Sequence, residues 1–188
     1  MDAPTVVGLG DVHLPYEKLT VTLDLVIRDE RGVETGRLHR PADITLLQLA
    51  QFTQAALMGV VSGLSFKDTA GTSHAQTAAV TAGTPQIAFG IGSTAAAFTD
   101  FKIQTTAGAS SDVIAATVTA IASNTFTVTA TWTNTTAGTI SISELAMYVT
   151  TTAGMASNST FALSHDVFTG QGVSANGTAA ATLTFTWG

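Results

Sequence analysis

Thr125-Phe126-Thr127-Val128-Thr129-Ala130-Thr131-Trp132-Thr133 alternates threonine with an apolar residue at every step. A period of two belongs to a β-strand, where successive side chains point to opposite faces. Threonine suits the outer face because its branched Cβ fits the pleat, and its hydroxyl hydrates that face without charge. The opposite face, Phe126, Val128, Ala130 and Trp132, calls for a core. Just upstream, Ser123-Asn124 is a turn signal, so Val113–Ala122 and Thr125–Thr133 read as a hairpin. Thr182 to Trp187 repeats the alternation, with Leu183, Phe185 and Trp187 on one side. The remaining candidate strands are Gln86–Ile91, Phe101–Thr105, Thr139–Thr150, Thr160–Phe168 and Ala179–Trp187. Gly108-Ala109-Ser110, Thr136-Ala137-Gly138, Ala153-Gly154 and Ala175-Asn176-Gly177 punctuate them. Strands at this spacing with short turns predict a mainly β protein, an antiparallel β-sandwich or jelly-roll-like domain over residues 86–188.

The first 64 residues differ in character. Asp2 to Tyr16 has no helical period and reads as an extended arm that docks on another subunit or on a larger particle. Leu19, Val21, Leu23, Leu25 and Ile27 share one face of a strand. Asp29-Glu30-Arg31-Gly32 turns the chain, and Val33–Leu38 returns as the second strand of a hairpin. Asp43 is a good N-cap for one α-helix over Ile44 to about Val61, with Gly63 as its stop. Residues 65–85, rich in Thr, Ala, Gly and Ser, read as a loop or linker.

Charge is scarce. Only 11% of residues are charged, against roughly a quarter in an ordinary soluble surface, and the mean hydropathy is +0.35. After Lys102 there is no lysine or arginine, and the acidic side chains there are Asp112, Glu144 and Asp166. A β-rich chain with so little charge fits one subunit of a large assembly, because bare strand edges otherwise invite aggregation. The net charge of −6 argues against nucleic acid as a partner. The absence of cysteine excludes disulfides and thiolate metal sites. The N-terminal residues lack the pattern of a signal peptide, and no apolar run is long enough to span a membrane. Three sequons, at Asn134, Asn158 and Asn176, are what a threonine-rich sequence generates by chance.

Chemistry-bearing residues are few. Gly10-Asp11-Val12-His13 resembles the first metal-binding segment of calcineurin-like metallophosphoesterases, but the further ligands such a two-metal centre needs are missing beside His39, His74 and His165. His165 and Asp166 are neighbours on a strand and point to opposite faces, so they form no dyad, and Asp166 is expected to tie down a turn or a backbone N–H. Glu144 reads as an exposed polar position on its strand, the alternative being a specific contact to a neighbouring subunit. Gly90-x-Gly92 precedes no helix and is no phosphate loop. No catalytic, cofactor-binding or metal-ligating residue is assigned, no cofactor is expected, and the chain does not read as an enzyme.

Phe89-Gly90-Ile91-Gly92-Ser93-Thr94, the Phe98-to-Phe101 segment, Ile140 to Tyr148 (Ile-Ser-Ile-Ser-Glu-Leu-Ala-Met-Tyr), His165-Asp166-Val167-Phe168 and Leu183 to Trp187 form a recurrent series. The series is similar to the β-sandwich virion structural proteins of tailed bacteriophages. His165 stands where that pattern has a basic or small residue. The resemblance implies a non-enzymatic role on the particle: a capsid decoration protein that stands on the shell, or alternatively a tail, tail-tip or fibre component. It implies assembly in the host cytoplasm and residence in the virion. The partners expected are further copies of itself, with a trimer favoured, and virion proteins such as the major capsid protein. From another class, a carbohydrate-binding or adhesin-like sandwich is the rival.

The C-terminal alternation has a measurable consequence. Truncating a core aromatic costs about 3–5 kcal/mol, a large share of a typical stability. Phe185→Ala is expected to lower the unfolding free energy measured by urea titration by that amount or prevent folding, whereas Thr184→Ala changes stability by less than about 1 kcal/mol.

Overall fold

The structure is a computed structural model, which describes residues 19–42, 49, 51, 64–77, 81–97, 99–108, 112–153 and 159–187. Eleven strands are described: β1 (Leu19–Arg28), β2 (Glu34–Pro41), β3 (Ser65–Lys67), β4 (Ser73–Ala75), β5 (Thr81–Gly90), β6 (Val113–Ala115), β7 (Thr117–Val118), β8 (Thr125–Thr133), β9 (Ile140–Ala153), β10 (Thr160–Val173) and β11 (Thr178–Trp187). The first sheet has the order β2-β1-β11-β8-β7 and the second β10-β9-β5-β6, with every described pairing antiparallel. The two sheets pack face to face as the expected β-sandwich. The expected helix falls almost wholly outside the described residues, of which Leu49 and Gln51 are helical. The N-terminal arm also lies outside them.

The alternation in sequence becomes the register of the first sheet. β1 and β11 pair over their whole lengths, placing Leu23 opposite Leu183, Leu25 opposite Ala181 and Ile27 opposite Ala179. All six are buried. The threonines collect on the other face, where Thr129 and Thr182 hydroxyls lie 3.3 Å apart and those of Thr125 and Thr186 3.2 Å apart. Cross-strand threonine pairs of this kind stabilise a solvent-side face without charge. In the core, Phe126 stacks on Phe185 at 4.6 Å between ring centroids. Phe89 of the second sheet stacks on Trp132 of the first at 6.2 Å. The indole N–H of Trp132 donates to Asp112 (3.2 Å), so its one polar atom is satisfied.

Three expectations need correction. The hairpin β1–β2 is not part of a separate N-terminal unit, because β1 lies between β2 and the last strand and its apolar face completes the core. Residues 65–85 are not simply a linker: β3 and β4 pair there, and β5 begins at Thr81. A three-residue strand is too short to show a period, yet Phe66 anchors this one edge-on against Phe161, 6.1 Å away. The single strand expected over Val113–Ala122 is two strands, since the chain crosses at Ala116 from the edge of the second sheet to the edge of the first. The turn that follows is as expected. Ser123 (φ 49°) and Asn124 (φ 58°) are both left-handed, and Ala122 and Thr125 exchange backbone hydrogen bonds across them. That is the type I′ geometry matching the right-handed twist of a hairpin.

Asn134 ties off the end of β8. Its side-chain N–H groups donate to the carbonyls of Gly138 (2.7 Å), Val173 (2.9 Å) and Ser174 (3.1 Å). Its oxygen accepts from the Thr136 N–H and hydroxyl, and the residue is fully buried. The first sequon is therefore a structural knot. Asn134→Ala strands the buried Val173 carbonyl and unties those of Gly138 and Ser174, and is expected to cost about 2–3 kcal/mol in urea unfolding.

Candidate functional site

Between β5 and β6 the chain leaves the second sheet and runs over its outer face as the segment 91–107. Phe101–Thr105, expected as a strand, forms none here. Ile103 of the segment packs on a small apolar layer of Ala88, Ala146, Tyr148 and Ala162. Such a layer alone is too thin to fix a chain of this length. The fixing is polar, and Glu144 is its centre.

Glu144 lies on β9 and is fully buried, which corrects its reading as an exposed position. Its partner is within this chain. One carboxylate oxygen, Oε2, accepts the N–H of Gly92 (3.0 Å) and of Thr105 (3.3 Å). The other, Oε1, accepts the N–H of Gln104 and faces His165 Nε2 at 2.7 Å. His165, on β10 and fully buried, turns its Nδ1 to Asp100 Oδ2 at 2.8 Å. The same Asp100 oxygen accepts the N–H of Ala97 (2.8 Å). Further along β9, the Tyr148 hydroxyl accepts the N–H of Ile103 (2.8 Å).

The two glycines make room. A Cβ on Gly90 would sit 2.6 Å from Glu144 Oε2 and from the Thr105 carbonyl, and one on Gly92 would collide with the same carboxylate. The Gly90-x-Gly92 pair is a seat for a buried carboxylate on a sheet. Ser143 helps from the neighbouring position, its hydroxyl donating to the Gly92 carbonyl (2.9 Å).

Electrostatics follow from the geometry. A carboxylate can only accept, so a histidine held between two carboxylates carries a proton on each nitrogen. Burial disfavours the charge on His165, but the hydrogen bonds to Glu144 and Asp100 outweigh it and raise its pKa above the ordinary value. Burial pushes Glu144 up, and the hydrogen bonds from His165, Gln104 and Thr105 more than reverse this, leaving it below its ordinary value. Tyr148 is pushed up to about 12, chiefly by burial.

On the core side of β10, Asp166 is also buried and faces Arg40 of β2 at 3.4 Å. Burial raises its pKa, with Arg40 opposing. Arg40 also donates to the Val167 carbonyl (3.4 Å). Asp166, expected to tie down a turn or a backbone N–H, also joins the edge strands of the two sheets through Arg40. His165 and Asp166 point apart as their adjacency requires.

Of the other residues considered from sequence, His74 pairs with Asp68 (2.7 Å) beside Phe161, and His39 is exposed on β2. Asp11 and His13 lie outside the described residues. Asp100 and Tyr148 were not legible as site residues: Asp100 looks like any loop acid, and Tyr148 like any strand aromatic. Compared with known proteins, the chain matches no family model, no curated sequence and no solved structure.

Removing one partner from a buried ionic network costs about 3–5 kcal/mol because the remaining charges stay buried. Glu144→Gln, with nearly the same shape, is expected to lose that much stability at neutral pH. Gly92→Ala is expected to lose about 1–3 kcal/mol by overpacking the carboxylate. Urea titrations of both variants check this.

Proposed function

We propose that this chain is a structural subunit of a tailed-phage virion, and within that class a capsid decoration protein that binds copies of itself on the shell. The observation that carries the reading is an asymmetry between the two sides of the sandwich. On the β2 side, Arg28, Asp29, Glu30, Arg31, Glu34, Arg37 and Arg40 guard the edge. Ion pairs Arg37–Glu34 (3.0 Å) and Arg37–Asp24 (3.4 Å) dress it. On the β6–β7 side, Val113 to Ala122 carries no charge, and Val113, Val118 and Ile121 are exposed, Ile121 by 71%.

Charge on an edge strand is the usual defence against pairing with another chain. A protein that defends one side and leaves the other bare has a use for the bare one. A neutral edge pairs with its own copy in any register without like-charge repulsion, and main-chain hydrogen bonds extend the sheet across the joint. The residues that carry the resemblance to phage β-sandwich proteins also support the reading. Gly90, Gly92, Glu144 and His165 come from three separate motifs and meet in one buried cluster, so those motifs act as one unit.

Sedimentation at micromolar concentration, with and without emptied capsids, tests the proposal. The expected result is a homo-oligomer that binds the capsid. Val118→Lys with Ile121→Lys is expected to yield a monomer with stability changed by no more than about 0.5 kcal/mol per site. A wild-type chain that stays monomeric and ignores capsids overturns the assembly reading. Self-association without capsid binding moves the chain to the tail.

A further inference from the structure

The cluster around Glu144 holds the segment 91–107 by two unequal grips. Glu144 is fully enclosed and receives backbone N–H groups from Gly92, Gln104 and Thr105. Asp100 is the outer grip. Its side chain is 28% exposed, against 0% for His165 and Glu144. It is held by His165 Nδ1 and ties down Ala97 by accepting the Ala97 N–H, while its own N–H donates to the Ala97 carbonyl (2.9 Å). His165 is the link between the two grips.

We propose that His165 is a pH-operated latch for this segment: as the imidazolium it clasps Asp100 and Glu144 together, and on losing one proton it releases Asp100, and with it Ala97, while Glu144 keeps the rest in place. The proton balance is simple. The imidazolium gives one proton to solvent and becomes neutral, with a single N–H left for two carboxylates. That N–H stays on Nε2, because Glu144 is fully shut off from bulk solvent whereas Asp100 is partly exposed. Nδ1 then presents a lone pair to Asp100 Oδ2 at 2.8 Å, which is repulsive. Asp100 has solvent beside it and moves away, and the Ala97 N–H loses its acceptor.

The groups that set the midpoint come from each element packed on the ring. They are Glu144 from β9, Asp100 from the covering segment, and Asp166 across the sheet on β10 itself, which feels the charge of His165. Tyr148, also on β9, is neutral over the range concerned because its pKa is pushed up to about 12. The sign follows from the raised pKa of His165. The latch is closed at and below the ordinary histidine value and opens as pH rises through the raised folded value. On the acid side, Glu144 keeps its charge until pH falls through its own lowered value. The Asp100–Ala97 contact is thus closed below the raised folded value of His165 and freed above it.

Hydrogen exchange on the full chain, resolved by residue and corrected for intrinsic rates, tests this between about pH 6 and about pH 10. Protection of the Ala97 amide is expected to fall at least about tenfold across the step. The Gly92, Gln104 and Thr105 amides are expected to stay protected. Asp100→Asn, a change at a partly exposed position, removes the step at Ala97. Imidazole nitrogen shifts of the wild type are expected to report a doubly protonated ring at about pH 6. A neutral ring there, an Ala97 protection that is flat with pH, or simultaneous loss of all four amides overturns the latch.

Discussion

A carboxylate shut off from bulk solvent must have its charge answered by its surroundings, and in this molecule Glu144 imposes that demand. Much of the second sheet's outer face is arranged to meet it. Gly90 and Gly92 leave out side chains that would occupy its place. The segment 91–107 doubles back so that the N–H groups of Gly92, Gln104 and Thr105 reach it. His165 supplies the positive charge and passes the constraint on to Asp100. Pieces of chain far apart in sequence are fixed relative to one another by one side chain. Hydrophobic contact alone would leave the covering segment free to slide, because Ala88, Ala146 and Ala162 are small and similar. Hydrogen bonds are directional and select one position.

The sandwich beneath is held by more ordinary means. The first and last described strands lie side by side in the middle of the first sheet, so its inner face is complete only when both ends of the fold are in place. On that face large and small residues alternate across the strands, with Leu23, Leu25, Leu183 and Phe185 among Ala130, Ala179 and Ala181. The aromatic stack of Phe89 on Trp132 locks the second sheet to the first. At one side the Arg40–Asp166 pair joins β2 to β10. At the other the chain itself crosses between sheets at Ala116 and leaves a neutral edge. The threonine face and the neutral edge have one physical meaning: this surface is hydrated or covered without charge.

The period of two in Thr125–Thr133, Leu19–Ile27 and Thr182–Trp187, with the turn signal Ser123-Asn124, was enough to determine the sandwich, which faces of those strands are buried, and where the hairpin turns. Each of these is a local property, set by the pleat or by the backbone freedom of two residues. The sequence alone also showed the unequal distribution of charge. It did not show that Glu144 is buried, because a glutamate alternating with apolar neighbours looks the same whether water or a folded-back segment lies beyond it. Nor did it show that β1 and β11 are partners, that Val113–Ala122 divides between two sheets, or that Gly90, Gly92, Glu144, His165 and Asp100 form one cluster. Those were decided by tertiary structure, because they depend on which distant parts of the chain meet. Alternation along a strand says which way a side chain points and carries no information about what it will find there.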